Sequence, residues 1–182
     1  MKTTRQIAFL RAINVGGHVV KMEALREHFS AIGLHSVETF IASGNVIFDA
    51  PGEDEAKLRM RVESKLAQTL GYPVDTFLRS TADLHALAQV PAFDAAQLAH
   101  ATALNVAFLH APLTPAQQSQ LADFETAVDH FEARGRELWW LCRVKQSESR
   151  FSNAVLERRL GLRATIRGYA TIQKLAAMLD AA

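Results

Sequence analysis

Ala8-Phe9-Leu10-Arg11-Ala12, close to the start of the chain, returns in its second half as Ala107-Phe108-Leu109-His110-Ala111. The first copy lies in the apolar run 7–13, closed by Asn14-Val15-Gly16-Gly17. Such a run reads as a strand buried on both faces, followed by a glycine turn. Working outward, Met22, Leu25, Phe29 and Ile32 recur at helical spacing, and Gly33 is placed to end the helix. Residues 37–42 and 45–50 are strand candidates, with Ser43-Gly44-Asn45 as the hairpin turn between them. Leu58, Val62, Leu66 and Leu70 repeat every four residues until Gly71 and Pro73, and 74–79 returns as a strand. The order is βαββαβ.

The second copy opens the same order. Residues 104–110 form an apolar strand, and Thr114-Pro115-Ala116-Gln117 combines a capping residue, a first-turn proline and a glutamine three positions past the cap. A weaker strand is expected over 126–132, then a turn at Arg134-Gly135-Arg136 and a strong strand over 137–142. Residues 153–160 read as a helix ended by Gly161, 164–167 as a short strand, and 171–179 as a last helix. Between the copies, 80–90 reads as a connecting helix, with Ser80 as its cap, and the alanine-rich stretch 91–102 as a link.

The expected fold is therefore α+β, of the α/β sandwich type: a tandem pair of ferredoxin-like βαββαβ halves with mostly antiparallel sheets. The expected division is a first half over 1–80, a connecting helix and linker over 81–103, and a second half with a C-terminal helix over 104–182. This topology demands that the first and third strands of each half be apolar on both faces. Phe9 beside Leu10, Phe108 beside Leu109, and Leu138-Trp139-Trp140-Leu141 comply. Sheets apolar on both faces call for cover, from the other half or from a partner. The end of strand one is expected at the opposite edge of the sheet from the turn joining strands two and three, which sets the two glycine motifs apart.

Apolar residues make up 49% of the 182 residues and charged ones 21%, as in ordinary packed proteins. A formal net charge of +1 gives no field to gather nucleic acid or anionic membrane. Cys142 is the one cysteine, so no intrachain disulfide forms, and neither a signal-peptide core nor a bilayer-length apolar run is present. A cytoplasmic protein is expected.

Four stretches together resemble an uncharacterised bacterial family catalogued as domain of unknown function 1697. They are Leu10-Arg11-Ala12-Ile13-Asn14-Val15-Gly16-Gly17, Ser43-Gly44-Asn45-Val46-Ile47-Phe48, Ser152-Asn153-Ala154-Val155-Leu156-Glu157, and Thr165 with Arg167, Thr171, Lys174 and Leu175. The resemblance implies two ferredoxin-like parts and no established activity. This chain carries Ala12 where the resembling family usually has glycine, and Gly168-Tyr169-Ala170 where it more often has asparagine, tryptophan, asparagine.

Two clusters are candidates for ligand binding. Arg11, Asn14, Gly16, Gly17, His18 and Lys21 combine basic side chains with a glycine turn ahead of a helix, where backbone N–H groups can meet an anion. The alternative is a tight turn whose glycines permit positive φ, with Asn14 capping the backbone. Arg167, on a short strand before Thr171 and Lys174, sets a guanidinium by a helix start, a receptor for carboxylate or phosphate. The first cluster matches neither the phosphate loop of nucleotide hydrolases nor the dinucleotide fingerprint, and no cofactor is expected. The seven histidines are scattered and no cysteine pair exists, so no metal is expected. Cys142 reads as a packed thiol, and Trp139 and Trp140 point to opposite faces.

No catalytic constellation is recognisable. Three functions compete: binding of a small phosphate- or carboxylate-bearing ligand, a protein-interaction or homo-oligomerisation module, and, last, RNA binding on an exposed sheet. The last lacks the aromatic and basic signature of RNA-recognition modules, so nucleic acid is not expected as a partner, and neither is a membrane.

Overall fold

The protein's computed structural model describes residues 3–14, 19–41 and 44–180. The chain divides into two units, Met1–Leu84 and His85–Ala182. In the first, the elements run β1 Thr3–Leu10, α1 Met22–Ser30, β2 His35–Phe40, β3 Asn45–Pro51, α2 Glu55–Leu70 and β4 Thr76–Ser80, and α3 Thr81–Gln89 crosses the boundary. The second runs α4 Ala95–Ala99, β5 Ala103–Leu109, α5 Pro115–Leu121, β6 Asp129–Arg134, β7 Glu137–Cys142, α6 Asn153–Leu160, β8 Ala164–Gly168 and α7 Tyr169–Asp180, with a 3-10 turn at Gln146–Glu148.

Each unit holds one antiparallel sheet, in the orders β2-β3-β1-β4 and β6-β7-β5-β8. Both are the ferredoxin-like arrangement, and the repeated letters fall in register. Ile7, Ala8, Phe9 and Leu10 pair with Arg79, Leu78, Phe77 and Thr76. Val106, Ala107, Phe108 and Leu109 pair with Arg167, Ile166, Thr165 and Ala164. The central strands β3, β5 and β7 are buried on both faces over most of their length and β1 over its second half, whereas β2 is exposed or half-buried throughout.

One face of the first sheet, with Ala8, Leu10, Val46, Phe48 and Leu78, packs on Leu25 and Phe29 of α1 and on Leu58, Val62 and Leu66 of α2. Asp54 accepts from the N–H groups of Ala56 and Lys57 to start α2, and Gly71 ends it at φ 80°. In the second sheet Ala107, Leu109, Leu138, Trp140 and Ala164 pack with Leu156 and Leu160 of α6. Thr114 and Gln117 form the expected capping box of α5, and Ser152 caps α6. Trp139 and Trp140 do face opposite ways: Trp140 meets Phe151 at 4.9 Å edge-on, and Trp139 meets Tyr169 at 5.4 Å. Phe9, Phe108 and Trp139 are buried, so the central strands present no aromatic platform for stacking bases.

The strand expected over 126–132 starts instead at Asp129. Thr126 Oγ1 accepts from the N–H groups of Val128 and Asp129, a local turn that holds the preceding residues out of the ladder. The stretch expected as a bare link contains α4, whose capping box joins Asp94 and Gln97. Arg134 of β6 donates to the Ala92 carbonyl at 2.7 Å and ties this stretch to the second sheet. The expected connecting and C-terminal helices are α3 and α7, and each follows directly on the last strand of its half, so the repeated order extends to βαββαβα.

Asp129 is 2% exposed and anchors the edge of the second sheet. Its carboxylate accepts from Trp140 Nε1 at 2.8 Å, from Ser149 Oγ at 2.9 Å and from Thr126 Oγ1 at 3.2 Å. Asp129→Ala strands these donors, so chemical denaturation at neutral pH is expected to show a loss of about 3 kcal/mol, with Asp129→Asn losing less than half of that.

Candidate functional site

The first strand ends where its neighbours end it. The Leu10 N–H donates to the Gly44 carbonyl at 2.8 Å, and the Arg11 N–H to the Asp75 carbonyl at 2.9 Å. The chain then leaves the sheet, with Ala12 at φ 60° and Asn14 at φ 57°. Asn14 Oδ1 accepts from the Val20 N–H at 2.6 Å, which fixes the return toward α1. Ile13, expected in the strand, is buried outside it: a Cβ on Gly44 would stand 3.1 Å from the Cβ atoms of Ile13 and Leu10. Only glycine admits this approach at its φ of 75°.

The end of β1 and the β2–β3 turn therefore meet, contrary to the expectation that they lie at opposite edges. β1 and β3 are antiparallel neighbours, so the last residues of β1 pair with the first of β3, Phe9 with Asn45. Asn45 is fully buried and donates through Nδ2 to the Phe40 carbonyl, closing the hairpin from within. Gly16, Gly17, His18 and Ser43 lie outside the described residues.

Strain concentrates at this end of the sheet. Besides Ala12 and Asn14, Ile41 at the hairpin adopts φ 50°, a conformation that costs an L-residue about 1–2 kcal/mol. The fourth such residue, Ser36, sits at the bulge of β2 in the first half, and the second half carries none among its described residues. Its corresponding connection, 110–114, is less than half as long as 11–21 and runs straight into the α5 cap.

Arg11 begins the 11–21 connection. Its Nη1 lies 3.8 Å from Asp75 Oδ2, and the two side chains are 27% and 32% exposed. Lys21 is exposed in extended backbone immediately before α1. Asp75 also lines a surface groove between α2 and the segment 73–75 that leads into β4, together with Glu63, Ser64, Ala67, Pro73 and Val74. Glu63 accepts from the Thr76 N–H at 2.9 Å, and Glu157 accepts from the Ala164 N–H at 2.9 Å in the equivalent place of the second half. Burial, with help from Asp75, raises the Glu63 carboxyl above its ordinary 4.5 despite the Thr76 hydrogen bond and Arg59.

The second candidate cluster lies in the other unit. Arg167 is 8% exposed, and its Nη1 donates to Thr165 Oγ1 at 2.8 Å and to the Ile166 carbonyl at 2.9 Å. Burial lowers its pKa to about 10, which leaves it cationic at neutral pH. Thr171 is half-buried in the first turn of α7, and Lys174 is exposed on the same helix. Arg79 holds the equivalent position in the first half: it is 1% exposed and donates to the Leu78 carbonyl at 2.7 Å. It escaped the reading of the sequence, although Leu78-Arg79-Ser80 lies against Ile166-Arg167-Gly168 once the halves are aligned. Cys142 is buried, donates to the Val144 carbonyl and has its thiol pKa raised by burial, as a packed thiol would. No group of side chains suited to hold a metal ion occurs among the described residues, and none of their helices is long and apolar enough to cross a membrane.

Two ferredoxin-like halves, only one of them with a long strained basic loop, define an α+β protein of tandem construction. The chain belongs to the family described as Protein of unknown function (DUF1697), whose model matches residues 3–139. The resembling stretches around Ser152 and Thr165 lie beyond that span. The solved structure of the conserved bacterial protein SP0830 from Streptococcus pneumoniae is similar, with a TM-score of 0.77 at 23% identity, over 98% of this chain and 99% of that one. That likeness speaks for the fold. No curated protein matches the sequence.

Ala12→Gly relieves a left-handed backbone and adds unfolded-state entropy, so a net gain of about 0.5–1 kcal/mol is expected in urea denaturation. Glu63 binds its proton more tightly folded than unfolded. Its contribution to stability is complete at pH values below about 4, and it fades as pH rises through the raised folded value. Glu63→Gln is expected to flatten that part of the stability–pH curve, measured between pH 4 and about 7.

Proposed function

We propose that this protein binds a small anionic ligand, phosphate- or carboxylate-bearing, in the cytoplasm, at the loop between β1 and α1. Arg11 and Lys21 supply the positive charge, and Asn14 holds the loop in shape through Val20. One observation carries the reading: left-handed, non-glycine backbone is gathered around Arg11 in the first half and lacks a counterpart in the second. Strained backbone persists where the surroundings hold it, and such places cluster at ligand sites. The length of the 11–21 connection points the same way, since a bare crossover needs no more than the second half uses. Arg11 supports it further, being a partly exposed cation at the start of that connection. Arg167 supports it less, because its Nη1 is already engaged by Thr165 and Ile166; with Thr171 and Lys174 it stays a secondary candidate.

A second reading, a protein-interaction surface at the same sheet end, is favoured by Val19 and Ile41, apolar side chains 85% and 51% exposed. A thermal-shift screen of phosphorylated and carboxylated metabolites separates the two. The expected result is a stabilising hit whose affinity, by titration calorimetry, falls about tenfold or more in Arg11→Ala and less in Lys21→Ala. A hit indifferent to Arg11→Ala overturns the ligand reading. A chain that binds no anion but self-associates, with association lost in Val19→Ser/Ile41→Ser, supports the second.

A further inference from the structure

The fold builds one surface groove twice. In each half a glutamate on the helix before the last strand accepts the first N–H of that strand, Glu63 from Thr76 and Glu157 from Ala164, both at 2.9 Å. Beside Glu63 the groove carries Ser64 and Asp75. Beside Glu157 it has a volume of about 510 Å³ and is lined by Ala154, Arg158, Gly161, Leu162 and Arg163. The positions correspond. Ser64 and Arg158 each follow the glutamate in the chain, and Asp75 and Arg163 each precede the residue whose N–H it accepts. The frame is shared and the charge on it is reversed. Since Ser64 and Asp75 serve the first half, the frame itself requires no cation at either place.

Arg158 is exposed, and its side chain has no hydrogen-bond or ion-pair partner among the described residues. The negative end of α6 does not account for it. Arg159, in the same turn, already lies at that end, donating to Asp123 at 3.3 Å and resting 5.1 Å from the centre of the Phe124 ring. The carbonyls there are also supplied from within: Glu157 by the N–H groups of Gly161 and Leu162, and Leu160 by Gln117 Nε2 at 2.8 Å. Arg163 brings a second guanidinium, 60% exposed, with Nη1 3.8 Å from Glu157 Oε2. The Glu157 side chain itself is only 10% exposed, so the cations dominate what the groove shows to solvent.

We infer that this groove, apart from the loop at Arg11, is a second anion site and takes a small phosphate-bearing molecule. Its volume falls within the roughly 300–1,000 Å³ of small-molecule sites. A guanidinium meets phosphate oxygens in pairs, and a phosphomonoester dianion answers two cations where a monocarboxylate answers one. Duplication thus supplied two copies of one hollow, and the second was turned to anions by Arg158 and Arg163.

The test titrates phenyl phosphate and benzoate, at constant ionic strength, into the isotope-labelled full chain and follows its amide signals by NMR. Phenyl phosphate is expected to move Gly161, Leu162 and Arg163 saturably, binding at least about tenfold more tightly than benzoate. Arg158→Ala is expected to weaken that titration about tenfold, and Arg158→Lys less. Arg159→Ala removes the same charge one residue away and, like Arg11→Ala, is expected to change it by less than about twofold. The inference is overturned if those three signals do not saturate, if Arg158→Ala leaves the titration unchanged, or if Arg159→Ala or Arg11→Ala weakens it as much. Benzoate binding as tightly as phenyl phosphate overturns the ligand class. Val20 reports on the β1–α1 loop separately, so failure at this groove and failure at that loop are told apart in one titration.

Discussion

The antiparallel pairing of the first strand with the third, β1 with β3 and β5 with β7, is the constraint on which the rest depends. It puts the most apolar strands at the centre of each sheet, where burial on both faces gives the greatest return per residue. It also decides what lies at the sheet's end. Because Phe9 faces Asn45, the departing chain after Leu10 has to pass over the arriving hairpin, and Gly44 is the residue that makes room. The loop at Arg11 takes its shape from that collision. In the second half the same crossing is made by Leu109 against Arg136, with no left-handed residue on the short connection that follows.

Much of the fold was legible because central strands write continuous apolar runs, and because helix starts and stops use few residue types. Thr114-Pro115-Ala116-Gln117, Ser152 and Gly161 each sit where their chemistry predicts. The errors share a cause, which is that apolar letters do not say what holds them. Ala12 and Ile13 look like more strand, yet Ile13 is buried against Gly44 and not in the ladder. Residues 126–128 look like strand too, yet a threonine hydroxyl takes the N–H groups that a neighbour would need. The helix α4 was readable from Asp94 and Gln97, whose spacing is that of the capping box recognised at Thr114.

The site was less legible than the fold. Asn14 and the glycines announce a turn, but nothing in the letters of Ala12 or Ile41 announces positive φ, which only the packing around them imposes. The end of β1 meets the hairpin at Gly44, and does not lie at the opposite edge, because the first two strands run parallel with the third between them, so β1 and β2 finish at the same end. Arg167 stood out for its charge, whereas its burial and its twin Arg79 emerge from the register alone. Charge in a sequence marks a candidate, and only geometry tells a receptor from a side chain bound inward.

The buried sulfur at the end of β7 has a use of its own. Cys142 is the chain's one cysteine, fully shielded, with its hydrogen donated to a neighbouring carbonyl. A thiol reagent therefore reaches it only when the second half opens, so the speed of labelling under native conditions clocks that opening and leaves the first half silent. Two modules that look alike to circular dichroism can in this way be told apart by chemistry, without adding a dye or changing a residue.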